Sequence, residues 1–156
     1  MADRHNILAA RALLNARQLA REFAHGWIGS EHLLLGLFNL EAHPVRDLLL
    51  AHGVCGESLT REVSSLAPSV LQPRKARLPL SSSLQETLEA AAELTESRRL
   101  MAINVEHLLL ALLRTRAGLG FALLVKQGVD VGDLERELQA MIDARQREQS
   151  GFGFGA

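Results

Sequence analysis

Apolar residues recur along the chain at the three- and four-residue spacing that gathers them on one side of a helix. The first block predicts a helix over 7–24. Leu8, Leu13, Leu19 and Phe23, with Ala12 and Ala16, form its expected buried stripe, and Asn6 supplies a cap. His25-Gly26 is its expected stop. Leu33, Leu34, Leu35, Leu37 and Phe38 leave a second helix, 31–40, almost no polar face, so it is expected at the centre, capped by Ser30. Pro44 suits the first turn of a third helix, 44–52, which Gly53 ends. Leu59, Val63 and Leu66 predict a fourth over 57–66. The same order then resumes with helices over 82–98, 105–115, 119–127 and 131–147, and Ser81 to Ser83 offer the cap of the first of these. Residues 67–80 carry Pro68, Pro73 and Pro79 around Arg74, Lys75 and Arg77 and read as a linker. Residues 148–156 end in Gly151-Phe152-Gly153-Phe154-Gly155-Ala156, have no period and read as a disordered tail.

The resumption is a repeat. Ile28-Gly29-Ser30-Glu31-His32-Leu33-Leu34-Leu35-Gly36-Leu37 returns seventy-five residues later as Ile103-Asn104-Val105-Glu106-His107-Leu108-Leu109-Leu110-Ala111-Leu112. The offset holds without gaps through Leu48-Leu49 on Leu123-Leu124, Gly53-Val54 on Gly128-Val129, and Leu59, Arg61 and Glu62 on Leu134, Arg136 and Glu137. Chance leucine matching does not place Glu-His-Leu-Leu-Leu and Gly-Val in one register. Repeat one covers about 4–66 and repeat two about 81–142. A four-helix unit of this size buries few sites completely, so the two are expected to share one core. The chain therefore reads as an all-α, pseudo-twofold domain over 1–147.

Composition narrows the class. The 156 residues are 47% hydrophobic but only 4% aromatic, with a net charge of −1. That balance offers no bulk attraction to nucleic acid or an anionic membrane. No apolar run approaches the ~20 residues of a membrane span, and Met-Ala-Asp-Arg-His lacks the apolar core of a signal peptide. One cysteine, Cys55, cannot form an intrachain disulfide and fits a reducing compartment. A soluble, cytoplasmic helical protein is expected.

Candidate chemistry is sparse. Glu31 and Glu106 are first-turn acids that complement the positive end of their helices, which is reason enough for their presence. His32 and His107 adjoin leucines and read as structural histidines; no His-x-x-x-His or Cys-x-x-Cys spacing suggests a metal or cofactor. Cys55 at the start of the fourth helix, with His52 nearby, is the one nucleophile candidate for a hydrolase.

The doubled Ile-Gly-Ser-Glu-His-Leu-Leu-Leu-Gly-Leu motif, the Gly-Val pairs and Leu78-Pro79-Leu80-Ser81 resemble the Clp N-terminal (Clp repeat) domain that precedes the ATPase modules of ClpC- and ClpA-type AAA+ unfoldases. The resemblance spans about 4–142. It implies two tandem four-helix repeats without enzymatic activity, docking protein clients or adaptors and passing them to a Clp unfoldase. It also implies phosphoarginine as a ligand, with Glu31, Asn6 and Arg4 at one site and Glu106 and Ser81 at the other. A carboxylate for the guanidinium and helix-start amides for the phosphate make that chemistry coherent. Asn6 stands where the family has Thr, His5 and Leu80 where it has an aromatic or Phe, and Val105 where it has Ser/Thr, so Asn104 is expected to cap helix six. Helix five carries Glu86, Glu89, Glu93 and Glu96 where helix one is basic, so an anionic ligand is expected to favour repeat one. No Gly-x-x-x-x-Gly-Lys-Ser/Thr loop occurs, so the chain resembles a stand-alone Clp N-domain acting in trans as adaptor, decoy or regulator. The alternative is a regulatory partner that docks on an unfoldase or adaptor with no small-ligand site.

Overall fold

The computed structural model describes residues 5–66, 77–116 and 118–153, with side chains described to 148. Among these residues the chain is all helix: α1 Ile7–Glu22, α2 Ser30–Phe38, α3 Pro44–Ala51, α4 Gly56–Ser64, α5 Ser82–Ser97, α6 Val105–Thr115, α7 Gly118–Lys126 and α8 Val131–Gly153. The predicted linker lies outside the described residues over 67–76. No single helix among the described residues is long and apolar enough to cross a membrane.

α2 and α6 form the centre. Every residue of α2 is buried, as is Val105–Leu113 of α6, because the leucines face all round and every side meets a neighbour. α2 packs on α1, α3 and α4 of its own repeat and on α5, α6 and α7 of the other. α6 packs on α5, α7 and α8 and reaches back to α1. The two repeats thus share one core, and neither closes alone.

α1 keeps Ala12 and Ala16 of its predicted stripe at the centre of its buried face but turns Leu8 outward. Its buried residues are Ala9, Ala12, Ala16 and Ala20, whereas Leu8 is 46% exposed. The reason lies across the interface. A Cβ at Gly36 would stand 2.6 Å from the Ala12 carbonyl oxygen, so the α1 backbone rests directly on α2. Only methyl-sized side chains fit a contact that close, and the larger Leu13, Leu19 and Phe23 pack along its margin. Asn15 Nδ2 donates to the Gly36 carbonyl at 3.2 Å across the same contact.

Several ends also differ from the pattern. α1 stops at Glu22, and the left-handed residue beyond it is Ala24, φ 59°, not Gly26. Arg99, its counterpart after α5, holds φ 56°. Gly53 and Gly128, φ 90° and 82°, end α3 and α7 as glycine should. α8 runs on to Gly153, through part of the expected tail, because Asp-Ala-Arg-Gln-Arg-Glu-Gln is helix-favouring sequence; 154–156 lie outside the described residues.

Candidate functional site

Both Glu-His helix starts are built alike. The histidine three residues past the cap turns back and accepts the cap amide: Gly29 N–H donates to His32 Nδ1 at 2.9 Å, and Asn104 N–H to His107 Nδ1 at 3.0 Å. This satisfies an amide that the helix cannot. The histidines are therefore structural caps first. Asn104 holds the cap position of α6 as expected, while Gly29, and not Ser30, holds that of α2; both side chains make further bonds. Ser30 Oγ accepts the Gly120 amide at 2.9 Å, tying α2 to α7, and Asn104 Oδ1 accepts from Asn6 Nδ2 at 2.7 Å.

Each helix start is joined to the opening of the other repeat. Asn6 N–H donates to Ile103 O at 2.9 Å, and Ser81 N–H to Ile28 O at 2.9 Å. Single parallel bridges, His5 with Ile103 and Ile28 with Leu80, mark the same crossings. Asn6 and Ser81 do cap α1 and α5 as expected, accepting from Ala9 N at 2.7 Å and Leu84 N at 3.2 Å. Yet the grouping is exchanged relative to the expectation. Asn6 belongs with the Glu106 helix, and Ser81 with the Glu31 helix. Arg4 lies outside the described residues.

Both carboxylates are nearly buried, at 2% exposure each, and both already hold a donor. Trp27 Nε1 donates to Glu31 Oε2 at 2.9 Å. Arg145 Nη1, from α8, donates to Glu106 Oε2 at 3.0 Å. Trp27 stacks on His25, ring centroids 5.1 Å apart and 16° from parallel. His25 in turn meets His32, Nδ1 to Nε2 at 2.7 Å, and its Nε2 meets the Leu66 carbonyl at 3.0 Å. Since His32 Nδ1 accepts, its proton sits on Nε2 and donates to His25 Nδ1; His25 then donates through Nε2 to Leu66. One neutral chain runs from the α2 cap to the end of α4. Burial, helped by the nearby His25, pushes the His32 pKa down to about 4. Burial also lowers His107 and His43 from the ordinary imidazole value. His43 accepts the Val45 amide through Nδ1 at 3.0 Å and so caps α3.

Trp27, His25 and Arg145 are the residues that sequence reasoning missed. Trp27 stands four positions before Glu31, a spacing that was legible; Arg145 stands thirty-nine positions after Glu106, and only the packing of α8 on α6 reveals it. The nucleophile candidate has no support in this geometry. Cys55 is exposed, its amide donates to Gln127 Oε1, and His52 Nε2 lies 2.9 Å from Glu137 Oε2. Among the described residues no group of three or more His, Cys, Asp and Glu is placed to hold a metal.

Comparison with known proteins agrees with this architecture. The family model described as the Clp repeat (R) N-terminal domain matches residues 8–99 and 79–153. The chaperone protein ClpC1 of Arabidopsis thaliana chloroplasts is 25% identical over 158 residues, covering 100% of this chain and 17% of that protein, so the chain spans about a sixth of its relative. The N-terminal domain of the chaperone ClpD from Arabidopsis thaliana superposes with a TM-score of 0.76 at 22% identity, over 91% of this chain and 99% of that one. A ClpV N-domain in complex with a VipB peptide superposes at 0.65 with 23% identity, over 86% and 84%.

Proposed function

The chain belongs to the Clp repeat N-terminal domain family, and from that premise we propose that it is a non-catalytic docking module for protein clients or adaptors of a Clp unfoldase. The observation that carries this reading is the pair of cross-repeat helix starts. Each presents a buried carboxylate, a histidine-capped amide and the opening residue of the other repeat. Such a start brings polar groups of both repeats to one place, where a peptide would bond the carboxylate by displacing Trp27 or Arg145, and among the described residues no metal group stands there. The peptide held by a ClpV N-domain is consistent with this use of the fold.

Arginine-phosphorylated proteins are the sharper form of the proposal. The two sites then regroup as Glu106 with Asn6 and Glu31 with Ser81, Arg4 keeping its expected part at the chain start. The carboxylate takes the guanidinium and the α1 or α5 amides take the phosphate. The rival reading, docking on an unfoldase or adaptor with no small ligand, is favoured by one observation: both carboxylates already hold donors, Trp27 and Arg145. Thermal shift with free phosphoarginine separates the two, because a ligand of the native state raises the melting temperature. The expected result is a rise that is lost in Glu106→Ala or Glu31→Ala. A flat response at millimolar ligand, with a measurable complex with the unfoldase, leaves the rival reading.

A further inference from the structure

Repeat one fills with its own side chains a space that repeat two leaves open. In repeat one, His25 and Trp27 stack beside His32. Seventy-five residues on, the matching positions are Leu100, Ala102 and His107. There a cleft of ≈ 270 Å³ lies between the end of α5, the start of α6 and α8, and these three residues line it together with Arg99, Glu106 and Arg145.

His107 is the informative group. It is 3% exposed, and its Nδ1 accepts the Asn104 amide. The neutral ring therefore carries its proton on Nε2, and that buried Nε2 has no partner. In repeat one the same atom of His32 donates to His25 Nδ1. Leu100 stands where repeat one has His25, so repeat two has the donor without its acceptor. A buried donor without an acceptor is costly and is uncommon in folded proteins. Gln146, which also lines the cleft, has its side-chain nitrogen buried without a partner. Arg99 lines the cleft and is exposed, and Arg145 neutralises Glu106 within. The cleft thus holds two buried nitrogen donors with no acceptor of their own, and its two arginines outnumber the one carboxylate, Glu106, whose Oε2 Arg145 already engages.

We propose that this cleft binds a carboxylate carried by a partner peptide, seated on His107 Nε2–H and flanked by Arg99 and Arg145. A carboxylate is flat and presents an acceptor where the flat His25 ring presents Nδ1 in repeat one. Leu100, Met101 and Ala102 cover the methylenes of an acidic side chain. This ligand has the opposite charge to a guanidinium on Glu106 and a different target atom. The inference rests on the docking reading only for the carrier of the carboxylate, so the cleft is tested separately with small probes.

The experiment follows the ring 15N–1H signals of His107 during titration. The probes are a blocked alanine pentapeptide with a central glutamate, its glutamine counterpart, an alanine pentapeptide with a free C-terminus, and inorganic phosphate. The expected result is a shift of the His107 Nε2–H signal by a carboxylate probe, with at least about tenfold weaker binding of the glutamine peptide, as charge-assisted bonds are the stronger kind. The first and third probes distinguish an acidic side chain from a chain terminus. Leu100→His with Ala102→Trp rebuilds the repeat-one arrangement and is expected to abolish the shift. Arg99→Ala, a surface change that leaves the fold intact, is expected to weaken it. Equal binding of the glutamate and glutamine peptides, a shift given by phosphate alone, or undiminished binding to the filled variant overturns the proposal. A carboxylate shift alongside failure to bind any client or adaptor keeps the cleft and removes the docking reading.

Discussion

Arg145 donates to Glu106 at 3.0 Å and thereby gives a carboxylate that is 2% exposed its counter-charge from another helix. The pair is half open: Arg145 is 41% exposed while Glu106 is sealed. Removing the arginine strands a charge inside, whereas removing the acid frees a cation that water can reach.

Arg145→Ala is accordingly expected to lower stability by about 1–3 kcal/mol, and Glu106→Gln by less. Denaturant titration of the two variants gives the comparison. Under the phosphoarginine proposal, Arg145→Ala also vacates the carboxylate and is expected to strengthen ligand binding at repeat two, which the thermal-shift titration reads in the same samples. Equal stability of the two variants would show that the ion pair matters less than its burial implies.

The His25–His32 chain predicts a pH dependence with a definite direction. His32 is held near a pKa of about 4 in the fold, against 6.5 for the free side chain. As pH falls, the unfolded chain takes up this proton first. The stability tied to the neutral ring is complete above pH 6.5. It declines by up to roughly 3 kcal/mol between 6.5 and 4, and then levels off as the folded ring titrates too. Melting temperature across that interval checks it. His25→Leu, which copies repeat two, leaves His32 Nε2–H without its acceptor and is expected to cost about 1–3 kcal/mol at neutral pH.

Gly36→Ala tests the α1–α2 contact. The added Cβ would lie 2.6 Å from a backbone oxygen, which cannot swing aside as a flexible side chain can. We expect a loss of about 1–3 kcal/mol, despite the better helix propensity of alanine. Ala111 already carries that methyl, fully buried, at the equivalent point of repeat two, so Ala111→Gly is expected to cost its propensity plus the lost methyl, about 2 kcal/mol in all. Chemical denaturation of both variants decides whether the two halves are truly spaced differently.

Much of the fold was legible because its signals are local. Pro44 opens α3, Gly53 closes it, Ser81 caps α5, and α6 occupies 105–115 as its pattern predicts. Ala12 and Ala16 of the α1 face were legible, but Ala9 and Ala20 in place of Leu8 were not, since hydrophobic spacing favours leucines and says nothing about how near a facing glycine lets a backbone come. The helix starts were legible in the sequence, and the way they join across the repeats was not. Glu31, Glu106, Asn6 and Ser81 all lie at helix starts, but the exchange of openings between repeats is a long-range pairing that no spacing encodes. Leu100 and Ala102 acquire meaning only once the structure shows what His25 and Trp27 do at the matching positions of repeat one.

That exchange has a kinetic side. Asn6 finds Asn104 across 98 positions of chain, and Ile28 finds Pro79 and Ser81 beyond the segment between the repeats. Each helix can form early from its own neighbours, but the two crossings close long loops and so come late. The rate at which this all-helical chain reaches its native state is therefore set by loop closure between distant segments, and it should fold more slowly than a helical bundle of the same length built from adjacent hairpins.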